Sequence, residues 1–365
     1  MHHLVRMLAM QASAHDHIAV FTSSWKDRPA EHLSSELGAS VIDRRVPVRV
    51  LNYLWHRAEW PPIEMLGAQV DVVHAAHPLL IPSRSAAQVV TIHDLFFLTH
   101  RDSTRAEIRR DYAELAPAHA HRADAIVVNS AYTASIVHTT LGVPKESLHI
   151  CPPGAPVWRS LGRAPNVPLD GYILFIGTLE DRKNLGALLD AYSRLRQEHR
   201  GVPPLVIAGR STPDGERWLE RLSRPPLAGH ARHVGYAADK EQLYAGARLV
   251  VVPSLDEGFG IPVLEAMAAG VPVIAANRGA LPEVLGDAGV LVDPTDVEQI
   301  ASAIHRMVSD DAFAKRCAEC GLVRARRFSW KCAATSLRCA YEAAIDTRRR
   351  RRSVAGHPRV AFEDT

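Results

Sequence analysis

The sequence predicts an α/β chain of two parallel-sheet domains, and three observations carry that prediction. Short apolar strands alternate with helical patterns along nearly the whole chain, as in parallel layers covered by helices. A length of 365 residues exceeds what one core usually organises. A segment rich in proline and glycine, Cys151 to Leu169, interrupts the alternation with Pro152, Pro153, Gly154, Pro156, Pro165 and Pro168. The expected division is an N-terminal domain over 1–165, a C-terminal domain over 166–328, a helix over 329–346 and a disordered basic tail over 347–365.

In the first half the strands are His17–Phe21, Ser40–Ile42, Val70–His74, Gln88–Ile92 and Ala125–Val128, with helices over Thr104–His121 and Ala131–Leu141. The second half restarts with the strand Tyr172–Ile176 and the helix Leu185–Arg200. Further strands are Leu205–Ala208, Ala231–Val234, Arg248–Val252, Val271–Ala275 and Val290–Val292. Helices Val297–Ser309, Asp311–Arg326 and Ser329–Ile345 follow. The start is unusual, because Met1–Met10 is already helical, with Leu4, Met7 and Leu8 spaced for one face. A parallel α/β domain normally opens on a strand, so a first strand and loop of roughly 15–20 residues are expected to be absent.

Composition excludes several classes. Hydrophobic residues at 47% and charged residues at 23% are ordinary for a globular protein. The formal charge is +3 and Arg348–Arg352 supply five positive charges, so the remainder is close to neutral. A nucleic-acid binder would carry its basic residues on the fold itself. No apolar run approaches the ~20 residues of a membrane span, and Met1–Arg6 lacks the apolar core of a secretory signal. Five cysteines, with Cys151 far from the rest, favour reduced thiols in the cytoplasm. Cys317 and Cys320 form one Cys-x-x-Cys, but no second pair completes a zinc site, and no metal is expected. His74, His77, His119 and His121 show no metal-ligand spacing and read as ordinary.

The most informative stretch is Leu255–Gly270, LDEGFGIPVLEAMAAG, in which Glu257 and Glu265 stand eight residues apart. Leu249–Val252 is a strand and Asp256–Gly260 a tight loop; Pro262 suits the first turn of a helix that ends at Gly270. Glu257 is therefore expected in the loop and Glu265 in the first helical turn. Both would face the region beyond the carboxyl end of the strand, where open α/β sheets place ligands. Gly258 and Gly260 let backbone amides approach a bound group closely. Carboxylates that accept from hydroxyls, beside amides that donate to oxygens, suit a sugar nucleotide. The competing reading is a surface loop with two solvated acids.

From about Trp55 to Ile345 the chain resembles the GT-B glycosyltransferases, specifically the large retaining family four with its mannosyl- and glucosyltransferases. The motifs are the Glu257/Glu265 pair, Tyr172–Asn184 (YILFIGTLEDRKN), Gly279–Val284 (GALPEV) and His93-Asp94-Leu95, in that family's order and spacing. The resemblance implies two Rossmann-like domains facing across a cleft, the first binding the acceptor and the second the donor. It also implies a C-terminal helix that crosses back to the N-terminal domain. Arg182 and Lys183 follow the Gly177 turn and would neutralise the donor diphosphate as it leaves. Many members carry a basic residue after that glycine, where this chain has Thr178. Glu265 would take the ribose hydroxyls and Glu257 the transferred sugar. Backbone amides of Gly258, Phe259 and Gly260 would bind sugar or phosphate oxygens, and Gly235 and Tyr236 would bracket the base. His93 would stabilise charge near the anomeric carbon or bond a sugar hydroxyl; the alternative is a strand-end histidine satisfied by backbone. Asp94 is expected to be structural and Ser130 a helix N-cap.

The function this implies is transfer of a hexose, with mannose from GDP-mannose favoured, to a saccharide or lipid-linked acceptor with retention. No cofactor beyond the donor is implied. No Asp-x-Asp, Gly-x-Gly-x-x-Gly or phosphate-loop lysine motif occurs, so diphosphate charge falls to Lys183, Arg182 and helix N-termini. A second reading is a non-catalytic scaffold that binds sugar nucleotides, motivated by the missing first strand. A sugar-nucleotide epimerase fits the two-glutamate loop less well. The Arg348–Arg352 run reads as a solvated tail; the alternative is peripheral contact with anionic lipid at the inner face of the membrane.

Overall fold

The computed structural model describes residues 2–23, 25–99 and 111–355. The chain divides into two compact units, one built from the chain up to Pro153 and from Trp330 onward, the other from Gly154–Ser329. The division falls before the expected one at 165. The proline-rich segment is a strap on the second unit. Ala155 N–H donates to Phe328 O (2.8 Å), the Trp158 indole to Glu265 O (3.3 Å) and Asn166 N–H to Gly270 O (2.8 Å). Prolines there remove donors, and Ala155, Trp158 and Asn166 supply bonds that hold the segment to the second unit.

The first unit runs α1 (His2–Met10), β1 (Ala19–Ser23), α2 (Leu33–Leu37), β2 (Ser40–Arg44), α3 (Val48–Ala58), β3 (Val72–Ala75), β4 (Ala87–Ile92), α4 (Phe96–Thr99), α5 (Ala113–Arg122), β5 (Ala125–Val128), α6 (Ala131–Leu141) and β6 (Leu148–Ile150). The expected helix Thr104–His121 is α5 where described; its residues 104–110 lie outside the described residues. Strands β3-β4-β5-β6 form a parallel sheet in that order, and β1 pairs β2 in a separate parallel ribbon. In β4 every side chain is buried. Val90 and Ile92 enter one core with Ile126 and Val128, while Ala87 and Val89 enter another with Ala125 and Val127. That two-sided burial is why these strands read as continuous apolar runs.

The second unit holds β7 (Tyr172–Ile176), α7 (Leu185–Glu198), β8 (Leu205–Ala208), α8 (Glu216–Leu222), β9 (Ala231–His233), α9 (Lys240–Ala245), β10 (Ala247–Val252), α10 (Ile261–Ala269), β11 (Val273–Ala276), α11 (Leu281–Leu285), β12 (Val290–Val292), α12 (Val297–Ser309) and α13 (Asp311–Ala325). Its six parallel strands are ordered β12-β11-β10-β7-β8-β9. The chain thus builds outward from β7 through β8 and β9, then returns to the other side of β7 with β10. Order reverses between β7 and β10, which is where open sheets leave a crevice at their carboxyl ends.

The last helix, α14 (Trp330–Ala355), returns to the first unit. Ala333, Ala334, Leu337, Ala340 and Ala344 pack on Ala87, Val89, Ala125 and Val127. The expected disordered tail is corrected here, since Thr347 to Ala355 continue the helix. Arg351 donates to Asp124, whose carboxylate is fully buried, at 3.0 Å. Arg348 and Arg352 donate to the carbonyl of Arg84. The arginines have acceptors that a solvated run would lack. Residues 356–365 of the tail lie outside the described residues. Among the described residues no helix is long and apolar enough to cross a membrane.

Candidate active site

The site of the second unit is assembled where its strand order reverses. The loop after β7 ends in a 3-10 turn, Asp181–Lys183, and the loop after β10 carries Ser254 to Gly260. Leu255 N–H donates to Arg182 O (2.8 Å), a backbone bond that stitches the two loops. Asn184 adds a second stitch: its amide donates to Pro253 O (3.1 Å) and Pro294 O (2.7 Å). The loop after β11 closes from the other side. Ala280 N–H donates to Glu257 O (2.9 Å), and Gly279 has φ 60 with space for a hydrogen only, since a Cβ would meet Glu257 O at 2.6 Å.

Glu257 sits at the centre of these three loops and is 7% exposed. Its Oε1 accepts from Lys183 Nζ and from Ser254 Oγ (2.8 Å), and its Oε2 from Arg182 Nη1 (3.3 Å). Burial alone would raise its pKa; the charges of Lys183 and Arg182 outweigh that and hold the carboxyl below its usual value. The aliphatic stem of Lys183 lies over the Gly177 turn, its Cδ 3.6 Å from where a Cβ would stand. Arg182 also meets Glu180 (Nε to Oε2, 3.3 Å), so one of its faces is already engaged. The expected trio Glu257, Lys183 and Arg182 is therefore brought together as one charge cluster.

Glu265 is displaced from its expected place. Helix α10 begins at Ile261, so Glu265 lies beyond the first turn, and its carboxylate is held by other groups. Lys240 Nζ donates to Oε1 (2.6 Å) and the fully buried Tyr244 hydroxyl to Oε2 (2.9 Å). Gly260 caps α10 in the left-handed region with φ 99, and a Cβ there would strike Leu281 Cδ2 at 2.5 Å. Gly258 and Phe259 are buried, and the Phe259 ring packs edge-on against Phe328 (5.7 Å). The N-terminus of α10 and its dipole therefore lie beside the Glu257 cluster.

The remaining expected residues are placed separately. Gly235 follows β9 with φ 67, and its carbonyl accepts from Gly209 N–H (2.7 Å). Tyr236 is 66% exposed with the Arg210 guanidinium over its ring at 5.2 Å. In the first unit, His93 is exposed at the carboxyl end of β4, and its carbonyl accepts from the Asn129 amide (3.0 Å). Asp94 accepts from Phe96 N–H (3.1 Å), and Ser130 caps α6 through Thr133 N–H (2.9 Å). His74 bridges Tyr341 (2.9 Å) and Thr91 (2.7 Å), and His119 accepts from Leu80 N–H (2.9 Å). Sequence reasoning missed Ser254, Asn184, Lys240 and Tyr244. Ser254 stands only three residues before Glu257, a readable signal; Lys240 and Tyr244 share one face of α9, but their partner is distant in sequence.

Fold and site define an α/β protein whose second unit gathers two buried carboxylates, three cations and a helix N-terminus at a strand-order switch. A family model described as "Glycosyl transferases group 1" matches residues 170–310, and one described as "Glycosyltransferase Family 4" matches residues 1–159. The chain belongs to the family 4 glycosyltransferases. It is 43% identical over 175 residues to O-antigen chain mannosyltransferase B of Escherichia coli, a match spanning 47% of this chain and 46% of that protein. It therefore spans about half the length of that relative. With D-inositol 3-phosphate glycosyltransferase of Corynebacterium jeikeium it shares 30% identity over 294 residues, 75% of this chain and 67% of that one. Sucrose-phosphate synthase from Thermosynechococcus elongatus has a similar fold, with TM-score 0.72, 22% identity, and coverage of 93% of this chain and 91% of that chain.

Proposed function

We propose that the protein transfers a hexose from a nucleotide sugar to a saccharide or lipid-linked acceptor, with retention of anomeric configuration and without a metal ion. The observation that carries this reading is the buried Glu257 carboxylate joined to Lys183 and Arg182 at the switch between β7 and β10. In the structure the two cations neutralise Glu257. On donor binding they turn to the diphosphate, and Glu257 accepts from hydroxyls of the sugar. Positive charge on the departing diphosphate stabilises the transition state more than the ground state, which is the requirement for catalysis. The α10 N-terminus adds partial positive charge at the same place.

Glu265 accepts the ribose hydroxyls in this reading, which requires Lys240, whose side chain is 41% exposed, to swing aside. Gly235 and Tyr236 bracket the base. With attack and departure on one face of the sugar, the leaving phosphate oxygen accepts the acceptor's proton, so no separate base is required. His93 bonds a sugar hydroxyl or stabilises charge near the anomeric carbon in this reading. Mannose from GDP-mannose is the favoured donor, supported by the likeness to an O-antigen mannosyltransferase.

The test is a nucleotide-release screen of the purified protein across GDP-mannose, UDP-glucose and UDP-N-acetylglucosamine, with Glu265→Ala and Lys183→Ala as controls. Release with GDP-mannose, lost in both controls, supports the reading. Full activity in either control refutes the site, and binding without turnover on any donor favours a scaffold.

A further inference from the structure

The cations around the carboxyl ends of the second unit's strands are committed to acids, with one exception. Lys183 and Arg182 bond Glu257, and Arg182 also meets Glu180. Lys240 bonds Glu265, Arg278 bonds Asp293 and Arg217 bonds Asp181. The cluster of Glu180, Arg182, Lys183 and Glu257 therefore carries no net positive charge, and Asp256 in the same loop adds a negative one. Arg210 is the exception. It lies two residues beyond β8, is exposed, and among the described residues no carboxylate bonds it. Its guanidinium stands over the Tyr236 ring, 5.2 Å from the centroid.

Backbone register brings Arg210 up to the Lys183 turn. Strands β7 and β8 pair Ile176 with Ala208, and Leu179 bridges Ser211, so Thr178 stands beside Arg210. Leu179 N–H donates to Arg210 O (2.9 Å), which holds that register beyond the strand ends. Gly209 allows the close approach, since a Cβ there would stand 1.8 Å from Gly177 O. On the other side Gly209 N–H donates to Gly235 O (2.7 Å), which sets Arg210 beside Tyr236. Thr178, Arg210 and Tyr236 thus form one row across β7, β8 and β9. Neighbours in such a row are about 5 Å apart, less than the length of an extended arginine side chain.

We propose that Arg210 binds the diphosphate of the nucleotide sugar, supplying from β8 the positive charge that Thr178 does not supply from β7. The inference rests on the sugar-nucleotide site proposed above and adds a residue to it. A diphosphate brings more negative charge than a neutral cluster offsets, even when Lys183 and Arg182 turn to it from Glu257. A guanidinium fork matches two phosphate oxygens, and that charge-assisted pair outweighs an exposed contact with a ring face. Arg210 therefore leaves Tyr236 when the nucleotide arrives, which uncovers the ring for the base.

The test is calorimetric titration of GDP and UDP into the full-length parent, Arg210→Ala, Lys183→Ala, and Arg210→Ala combined with Thr178→Arg. Arg210→Ala should weaken every nucleotide that the parent binds by about tenfold, with the same factor for both bases. Thr178→Arg in that background should restore most of the loss, because it returns a guanidinium to the next place in the row. A merely structural arginine would not be replaced in this way, and the Arg210 side chain donates no hydrogen bond among the described residues. The proposal is overturned by undiminished affinity in Arg210→Ala, by a loss confined to one of two nucleotides that the parent binds, or by a double variant no tighter than Arg210→Ala. Weaker binding by Lys183→Ala with none lost in Arg210→Ala defeats this inference and leaves the proposed site standing. A parent that binds neither nucleotide defeats the site, and this inference with it.

Discussion

Glu257 and Glu265 come from one motif and are almost equally buried, yet they are held in opposite ways. Glu257 lies in a loop with two cations and a hydroxyl on it, and three loops close around its backbone. Glu265 lies within a helix, braced by a core tyrosine on one oxygen and a half-exposed lysine on the other. The first carboxylate is a fastener for the site's loops, so its charge is structural as well as chemical. The second is held by Tyr244 from the core and by Lys240 from the surface. A buried carboxylate stays ionised only where compensating charge or donors surround it, and the two positions meet that demand with different means.

Four outcomes sharpen this contrast. Glu257→Ala leaves Lys183 and Arg182 facing a buried gap, and should lower unfolding free energy by about 3 kcal/mol in chemical denaturation. A variant as stable as the parent would show the fastener role to be wrong. Asp124→Asn weakens the ion pair that Arg351 of α14 makes with the fully buried Asp124 carboxylate of the first unit. It should cost about 2 kcal/mol, against less than about 1 for Arg349→Ala on the exposed face of the same helix. Tyr244→Phe removes one donor from Glu265 and should cost about 1–2 kcal/mol, with nucleotide affinity reduced more than for Tyr172→Phe.

The pH dependence of the first unit gives the fourth outcome. Burial holds His74, His77 and His119 down to about 4, from an ordinary 6.5. The unfolded chain therefore binds these protons first as pH falls. Stability from this source is complete above pH 6.5 and declines as pH drops from 6.5 towards 4. Replacing His119 by Gln should flatten that decline in thermal melts across the range, with little change at pH 8.

Strands were the most legible part of the chain. Apolar runs such as Leu249–Val252 are buried on both faces, so their composition alone sets them apart. The loop place of Glu257 was also readable, because turn chemistry is local; its bonds to Lys183 and Arg182 cross between the loops after β7 and β10 and were not. Glu265 was placed a turn too early because Pro262 marks the start of a helix but not which face a later residue takes. Lys240 and Tyr244 were invisible, since their bond to Glu265 crosses from α9 to α10 and no local pattern announces it. The arginine run misled for a related reason. Five like charges read as a solvated tail until Asp124 and the carbonyls of Arg84 and Arg122 supply acceptors from the segments that precede β4 and β5.

The central claim is that the Glu257 cluster stores cations for a nucleotide's diphosphate. Calorimetric titration of GDP and UDP into the parent and Lys183→Ala tests it directly. The account predicts binding by the parent and at least about tenfold weaker binding by the variant, one charge-assisted hydrogen bond being lost. Equal affinity in the two proteins would contradict it.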